Sequence, residues 1–270
     1  MPGDLSPEID PGVADVLRID DYLAGGTANF AVDRVVAQHA FAGYPGGLDG
    51  ARHAVRAHRS FRRRAVAHLA TEAGARQFLD LAPGVPVGAT TNDVARAIAP
   101  GARVVTVDDD PMVLAYAHRF VSAGPRGAAA FVRADLHDPA AVLSRVTTAL
   151  DLARPVAVLL VGALQRVPGD ADAEAIVAGI AGGVAPGSWV VLSHVTGDVG
   201  ALAGPAAELG GAAHGSLVLR TRAQVERLFT GLEPVPPGLV PVDDWHPPTD
   251  RSPPAGLPAT PAYAAIGRVP

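Results

Sequence analysis

The chain has 270 residues, 49% hydrophobic and 18% charged, so it can bury one large core or two small ones. Its net charge of −5 argues against a broad basic surface for nucleic acid. All 22 basic residues are arginine and cysteine is absent, which excludes thiolate nucleophiles, iron–sulfur clusters, zinc–thiolate sites, Schiff-base lysines and lysine-containing P-loops.

Residues 1–75 are predicted to form a helical segment that packs on or caps the site, and residues 76–270 a larger domain of the same globular unit. The chain begins without a basic region followed by an apolar run, so no signal peptide is predicted. No stretch approaches the roughly 20 apolar residues of a membrane helix. We therefore expect a cytoplasmic protein with no membrane partner.

The helix predicted over "RHAVRAHRSFRRRAVAHLA" is rich in arginine. We interpret Arg56, Arg59 and Arg63 chiefly as a solvated face, with a patch for an anionic substrate as the alternative. The apolar positions lie roughly on the other side: Val55, Phe61, Ala65 and Leu69. The histidines of the helical segment lack metal-ligand spacing with acids, so no metal is predicted: His39, His53, His58 and His68.

From Phe78 onward, short apolar runs alternate with helical patterns. The predicted strands are "RQFLDLA", "ARVVTVD", "AAFVRAD", "PVAVLLVGAL" and "GSWVVLSHV". Asp110 and Asp138 each precede a proline, as an N-cap precedes the first residue of a helix. "PVAVLLVGAL" is apolar throughout, which is typical of a central parallel strand buried on both faces. The alternation indicates an α/β fold with a doubly wound, mostly parallel sheet.

After His194 the alternation loosens. Thr221 and Gln224 form a capping-box pattern at the start of a short helix. The proline-rich run 234–261 is predicted to be a long connection. "AYAAIGRV" is predicted to close the sheet as a strand antiparallel to its neighbours.

Acidic residues follow two of the predicted strands, where open parallel sheets bind ligands. Asp108, with Asp109 beside it, is placed to accept the hydroxyls of a ribose. An acid at this position is found in sites for NAD and in sites for S-adenosylmethionine, so it does not distinguish the two cofactors. The loop after the first strand lacks the G-x-G-x-x-G spacing of dinucleotide sites. Asp135 is placed to accept the adenine amino group, with the Leu136 backbone at the ring edge. Together with the reversed last strand, these features favour S-adenosylmethionine.

Nearly the whole chain, from Ile9 to Arg268, resembles an actinobacterial family of S-adenosylmethionine-dependent methyltransferase-like proteins, formerly a domain of unknown function. The matching stretches are "RIDDYLAGGTANFAVDR", "HRSFRRRAV", "QFLDLAPGVP", "VVTVDDDPMVLAYA", "VRADLHDP", "RPVAVLLVGAL", "VAPGSWVVLSHVT" and "RTRAQVERLFTGLEPVPPGLVPVDDW". The resemblance implies a seven-stranded, Rossmann-like class I methyltransferase fold with S-adenosyl-L-methionine as cofactor. It also implies cofactor contacts at Asp80 and Gly84, in addition to Asp108, Asp109, Asp135 and Leu136.

The chain departs from the family at the expected site. Ala82 and Pro83 stand where the family has glycine and threonine, so the loop loses one backbone donor and approaches the methionine moiety less closely. Thr90 and Asn92 replace another pair of family residues, and Leu164-Gln165-Arg166 replaces a third motif.

Several residues are candidates for the chemistry. His194, at the end of its strand, is predicted to face the cleft as the general base; a structural histidine is the alternative. Gln165 and Arg166 are predicted to bind the substrate. The planar guanidinium of Arg166 would bind a carboxylate or enolate group of the substrate; the alternative is that Arg166 is a surface arginine. Tyr22 and Asn29 are predicted to close over cofactor or substrate. The alternative is that the stretch containing Tyr22 ends one helix and Asn29 begins the next.

The leading hypothesis is methylation of oxygen, nitrogen or carbon in a small molecule of secondary metabolism. The alternative is a repurposed methyltransferase-fold enzyme that catalyses a cyclisation or rearrangement of a natural-product intermediate. A non-catalytic ligand-binding protein and a nicotinamide oxidoreductase rank below both. No nucleic-acid partner is expected, and a homodimer is the one assembly considered.

Overall fold

The computed structural model describes residues 9–121, 129–246 and 259–270. Three helices precede the main sheet, as predicted: α1 (Val16–Ala24), α2 (Ala31–Ala40) and α3 (Gly47–Thr71). Asp15 caps α1 by accepting from the Leu17 and Arg18 amides, and Gly25 ends it with φ of 90°. A two-residue strand, β1 (Ala14–Asp15), precedes α1. None of the helices described is long and apolar enough to cross a membrane.

The main sheet has seven strands in the order β4-β3-β2-β5-β6-β9-β8. Its five parallel strands are β2 (Gln77–Leu81), β3 (Arg103–Val107), β4 (Ala129–Val132), β5 (Ala157–Val161) and β6 (Trp189–Val195). The last strand in chain order, β9 (Ala262–Arg268), pairs antiparallel with β6. The predicted α/β class, the doubly wound sheet and its reversed closing strand are confirmed.

Helices connect the parallel strands. They are α4 (Thr91–Ile98), α5 (Pro111–Ala115), α6 (Pro139–Val146) and α7 (Asp170–Gly182). Asp110 accepts from the Met112 and Val113 amides, and Asp138 accepts from the Ala141 amide. The two Asp-Pro pairs therefore begin helices as predicted.

The proline-rich run 234–261 contains a strand that the sequence did not predict. β8 (Glu233–Pro241) pairs antiparallel with β9, with a register shift between Val235 and Val240. It lies at the sheet edge, where one side of the strand has no neighbouring strand. Prolines are tolerated there because the hydrogen bond that a proline cannot donate is not needed on that side. The prediction of a simple connection is wrong for this part; residues 247–258 lie outside the described ranges.

The loosened region after β6 also contains regular structure. α8 (Ala203–Ala212) leads into β7 (Ala213–His214), which pairs parallel with β1. α9 (Arg222–Arg227) begins with the predicted capping box of Thr221 and Gln224. The amino terminus is thereby tied to the region that follows β6.

Helix α3 is part of the core rather than a surface helix. Phe61, Ala65 and Leu69 pack in one cluster with Phe78 of β2 and with Trp245. Its carboxyl-terminal half therefore covers one face of the sheet. Its amino-terminal half reaches the carboxyl ends of the strands, where the site lies.

Candidate functional site

Two cavities lie at the carboxyl ends of β2, β3 and β5. The first, called here the polar cavity, measures about 320 Å³ and is lined by acids and loop residues: Asp15, Leu17, Ala82, Asp108, Asp109, Asp110, Pro111, Asp135, Leu136, His137, Ala163, Arg166 and Val167. The second, the apolar cavity, measures about 100 Å³ and is enclosed largely by aliphatic side chains from α1, α3, α8 and neighbouring loops. Ala82 and Arg166 line both cavities, so the two meet at these residues.

Asp108 follows β3 and is only 4% exposed. Its Oδ1 accepts from the Asp110 amide at 3.1 Å, and its Oδ2 has no hydrogen-bond partner among the described residues. Burial raises the pKa of the carboxyl to about 6, against the opposing charge of Arg166. A buried carboxylate oxygen without a partner, on the wall of a cavity, fits a ligand that donates hydroxyl hydrogens.

Three further predicted cofactor contacts also line the polar cavity, namely Asp109, Asp135 and Leu136, whereas Asp80 and Gly84 do not. Asp135 is largely exposed, and its Oδ1 accepts from the His137 amide and lies 2.8 Å from His137 Nδ1. Leu136 is buried beside it. The pKa of Asp109 is raised by burial and by the charge of Asp135. Two adjacent strand ends therefore supply three of the five acids that line the cavity, Asp108, Asp109 and Asp135.

The loop after β2 keeps a glycine-like path despite its departures from the family. Ala82 has φ of 46°, in the left-handed region that favours glycine. The Ala82 amide donates to Val107 O at 2.8 Å, which holds the turn against β3. Gly84 has φ of 74° and a Cβ there would meet open space. The turn geometry thus survives the replacement, at the cost of a strained alanine.

A charged pair lies beneath this loop. Asp80, in β2, accepts from the Thr91 hydroxyl at 2.6 Å through Oδ2, while its Oδ1 has no hydrogen-bond partner among the described residues. Arg62 Nη1 lies 3.8 Å from Asp80 Oδ2, and its side chain is 8% exposed. Within the part of the chain that is described, Arg62 makes no hydrogen bond, and it lines both the apolar cavity and the narrow gap beside Gly84.

The prediction of a solvated arginine face on α3 holds for Arg56 and Arg63, which are exposed, and is wrong for Arg59. Arg59 is 8% exposed and donates to Asp20 Oδ2 at 2.6 Å and to Val85 O at 3.2 Å. Arg62, missed by the sequence interpretation, follows it by three residues and so shares its helix face. That spacing, together with His58 four residues before Arg62, was the available signal.

His194 does not face the cleft, contrary to the prediction. It is fully buried, with Nδ1 donating to Val195 O and Nε2 accepting from Arg220 Nη1, each at 2.7 Å. Burial lowers its pKa to about 4. It lines neither cavity, because the strand end that carries it is covered by Arg220. Asp198, four residues after His194, accepts from the Arg222 amide.

Tyr22 and Asn29 also lie outside both cavities. The Tyr22 hydroxyl is 3.4 Å from Arg52 Nη2, and the guanidinium stacks over the ring. Asn29 donates to Asp21 Oδ2 at 2.7 Å and to Gly26 O at 3.1 Å. Both residues therefore connect the amino-terminal helices to each other, which fits the alternative of a structural role.

Gln165 and Arg166, the residues predicted to bind the substrate, both line the apolar cavity. They sit on a short 3-10 turn, Leu164–Arg166, directly after β5. Arg166 donates to Ala82 O at 3.2 Å. It therefore spans the junction between the two cavities instead of pointing to solvent.

His58 is the imidazole that the structure places at the apolar cavity. Its Nδ1 lies 2.7 Å from Ser193 Oγ, and its Nε2 is buried with no hydrogen-bond partner among the described residues. Burial lowers its pKa to about 4, so the ring is neutral at pH 7. The described residues contain no cluster of three or more metal-ligating side chains.

The profile of the S-adenosyl methyltransferase family matches residues 2–270. A DUF574-family protein from Streptomyces avermitilis is 34% identical over 97% of this chain and 99% of its own, with a TM-score of 0.87. A candidate methyltransferase from Thermobifida fusca is 33% identical over 97% of both chains, with a TM-score of 0.86.

An O-methyltransferase family protein from Burkholderia thailandensis, 16% identical, covers 82% of this chain and 58% of its own with a TM-score of 0.51, which supports the fold alone. Among curated protein sequences nothing matches. The full-length family match confirms the predicted resemblance, the class I fold and the cofactor. The chain therefore belongs to the S-adenosyl methyltransferase family and is an S-adenosylmethionine-dependent enzyme with the class I methyltransferase fold.

Proposed function

We propose that this methyltransferase acts on a small, largely apolar molecule of secondary metabolism, bound in the apolar cavity. The observation that carries the proposal is the meeting of two unlike cavities at Ala82 and Arg166. One is walled by carboxylates, and the other is enclosed by aliphatic side chains of α1, α3 and α8. The cofactor, bound in the polar cavity, and an apolar substrate, bound in the apolar cavity, would meet where the cavities join.

In this proposal, the polar cavity receives the adenosyl part of the cofactor. Asp108 accepts the ribose hydroxyls, Asp135 and Leu136 contact the adenine, and Asp109 lies at the rim. When bound, S-adenosylmethionine supplies a methyl group already activated on a sulfonium, so the chain mainly has to hold the acceptor in line. Ionised Asp108 suits two hydroxyl donors because each charge-assisted hydrogen bond is stronger than a neutral one.

The methionine end is assigned to the charged pair beneath the β2 loop, Arg62 and Asp80. Gly84 leaves open space for a close approach. The guanidinium of Arg62 can bind a carboxylate through its planar fork, and the unpartnered Oδ1 of Asp80 can accept from an ammonium group. The opposite charges of the pair match those of an amino acid. Gln165 and Arg166 are left for the acceptor and for the junction.

Calorimetry with S-adenosylhomocysteine, followed by transfer of a labelled methyl group to a panel of apolar hydroxy and amino compounds, tests the proposal. Micromolar binding and a methylated product would support it. Binding with conversion of a compound that gains no label would favour the repurposed enzyme. An absence of binding at protein concentrations able to detect micromolar affinity would remove the assignment of both cavities.

Cofactor affinity is expected to depend on pH through Asp108. Burial raises the pKa of this carboxyl to about 6, with Arg166 opposing and Asp110 and Asp109 nearby. Below that pH the group is protonated and must lose its proton to accept two hydroxyls. Affinity for S-adenosylhomocysteine should therefore be about tenfold weaker at pH 5 than at pH 7. Asp108→Asn should bind weakly at both pH values; the same pH dependence in that variant would contradict the assignment.

Replacing Arg62 with glutamine is expected to weaken binding of S-adenosylhomocysteine by roughly 10- to 100-fold, the value of one to two hydrogen bonds to a charged group. Binding of methylthioadenosine, which lacks the amino-acid end, should change by less than about twofold. Calorimetry with both ligands measures this. Arg63→Gln is the matched control, since Arg63 is exposed on the same helix. Equal losses for both ligands would show that Arg62 acts structurally.

A further inference from the structure

Three polar atoms without partners line the apolar cavity. They are His58 Nε2, Gln165 Oε1 and Thr260 Oγ1, all buried and without a hydrogen-bond partner in the part of the chain that is described. The three residues come from α3, from the turn after β5 and from the segment before β9. Buried polar atoms are rarely left unpaired, and here three elements bring them to one cavity. A ligand with its own hydroxyl group would satisfy such a set.

The charges around the cavity favour an oxygen that becomes negative. Arg59, Arg62 and Arg166 line it, whereas Asp20 is the carboxylate on its wall. Asp20 is neutralised by Arg59 at 2.6 Å. Arg62 is assigned to the cofactor under the proposed function, so Arg166 is the cation that remains on the acceptor side of the cavity. An acidic hydroxyl, as in a phenol or an enol, therefore suits the cavity better than an amine, which would carry a positive charge.

We propose that the acceptor is an apolar molecule with a phenolic or enolic hydroxyl, and that Nε2 of His58 takes the proton of that hydroxyl. The inference rests on the proposed function of the apolar cavity. His58 Nδ1 lies 2.7 Å from Ser193 Oγ, and the proposal assigns the proton to Nδ1, which then donates to Ser193 Oγ and leaves the lone pair of the imidazole on Nε2. The O–H bond breaks to Nε2, and the oxygen electron pair forms the bond to the methyl carbon. The carbon–sulfur bond of the methyl donor would break with its electron pair left on sulfur, so the positive charge passes from the donor to His58.

The weak basicity of His58 narrows the acceptor class. Burial lowers the pKa of the ring to about 4, while Asp20 and Asp243 act in the opposite direction. Proton transfer to so weak a base is far less unfavourable from a phenol than from an aliphatic alcohol, because the phenol is more acidic. The cavity volume of about 100 Å³ is of the order needed for one ring; a cavity of ~150 Å³ is known to hold benzene.

The test compares phenol with toluene, which has a methyl group in place of the hydroxyl. Each is titrated into the complex with S-adenosylhomocysteine and followed by NMR. In His58→Asn, which removes Nε2 but can keep the Ser193 contact, the ratio of phenol to toluene affinity is expected to fall about 3- to 10-fold. His39→Asn is the control, because His39 is exposed and is not among the residues that line the cavity. Its ratio should equal that of the wild type.

A change in overall affinity with an unchanged ratio in His58→Asn would overturn the role of His58 while leaving the cavity as acceptor site. Failure of both ligands to bind the wild-type complex would overturn the acceptor cavity itself, and the inference with it. Should His58→Asn not fold, the ¹⁵N resonances of the wild-type ring decide. A proton on Nδ1, with the Nε2 resonance shifting on addition of phenol but not of toluene, supports the proposal. A proton on Nε2, or equal shifts with both ligands, contradicts it.

Discussion

Replacement of Asp108 by alanine is expected to weaken binding of S-adenosylhomocysteine by about 2 to 4 kcal/mol, or roughly 30- to 1,000-fold. Asp108 is 4% exposed at the end of β3, with Oδ2 unpartnered among the described residues, and it lines the polar cavity. Removing it deletes two charge-assisted hydrogen bonds to the ribose. Calorimetry of the purified variant measures the loss.

Stability provides an independent readout for the same residue. The pKa of Asp108 is raised to about 6 in the folded chain, so the ionised carboxylate lowers the stability of the fold at pH 7. This loss of stability disappears as the pH falls below the pKa that the same carboxyl has in the unfolded chain. Asp108→Asn should therefore leave the ligand-free protein as stable as the wild type or raise its stability by about 1 to 3 kcal/mol. Urea denaturation at pH 7 measures this. A residue kept for folding would show the opposite sign.

Asp109→Ala is the matched control, since Asp109 is adjacent but exposed. It should lose less than about tenfold in affinity. If Asp109→Ala lost the greater part and Asp108→Ala did not, the ribose would have to be assigned to the neighbouring acid. If neither variant lost affinity, the polar cavity would not be the adenosyl site.

Features governed by local sequence could be predicted. The caps at Asp110 and Asp138 depend on two adjacent residues, and the structure confirms both. The position of Asp108 depends on the end of one apolar strand, and Asp108 does line a cavity at the sheet edge. These inferences succeed because periodicity and capping act over a few residues.

Features governed by distant contacts could not be predicted. His194 was expected in the cleft because it ends a strand, yet it is covered by Arg220, 26 residues away in sequence. His58 lies in an arginine-rich stretch that is typical of a helix surface, yet it meets Ser193 of β6 across 135 residues. Which of two histidines faces a cavity depends on what packs over each, and no local pattern encodes that. The spacing of Arg62 from His58 and Arg59 does place the three on one helix face, but it does not show which face packs against the sheet.

Arg220 is expected to be the arginine on which stability depends most. It is fully buried, and each of its N–H groups has an acceptor. Nε donates to Asp170 Oδ1, while Nη1 and Nη2 donate to His194 Nε2 and to the carbonyls of Leu164, Val167 and Gly169, all within 2.7 to 3.1 Å. The acceptors surround the turn that carries Gln165 and Arg166. Arg220 therefore fixes the turn from below, without touching either cavity.

Replacing Arg220 with methionine should lower the free energy of unfolding by about 3 to 5 kcal/mol, because buried acceptors lose their donor together. Arg222→Met is the control: that arginine is exposed, its pair with Glu226 is solvated, and its loss should cost less than about 1 kcal/mol. Urea denaturation measures both.

Arg220→Lys keeps the charge but not the planar fork, so it should still lose a large part of the stability. If Arg220→Met lost less than about 1 kcal/mol, water or a shifted backbone would satisfy these carbonyls. The turn at Gln165 would then be held by its other contacts, among them the Val218 amide, which donates to Gln165 O at 2.8 Å.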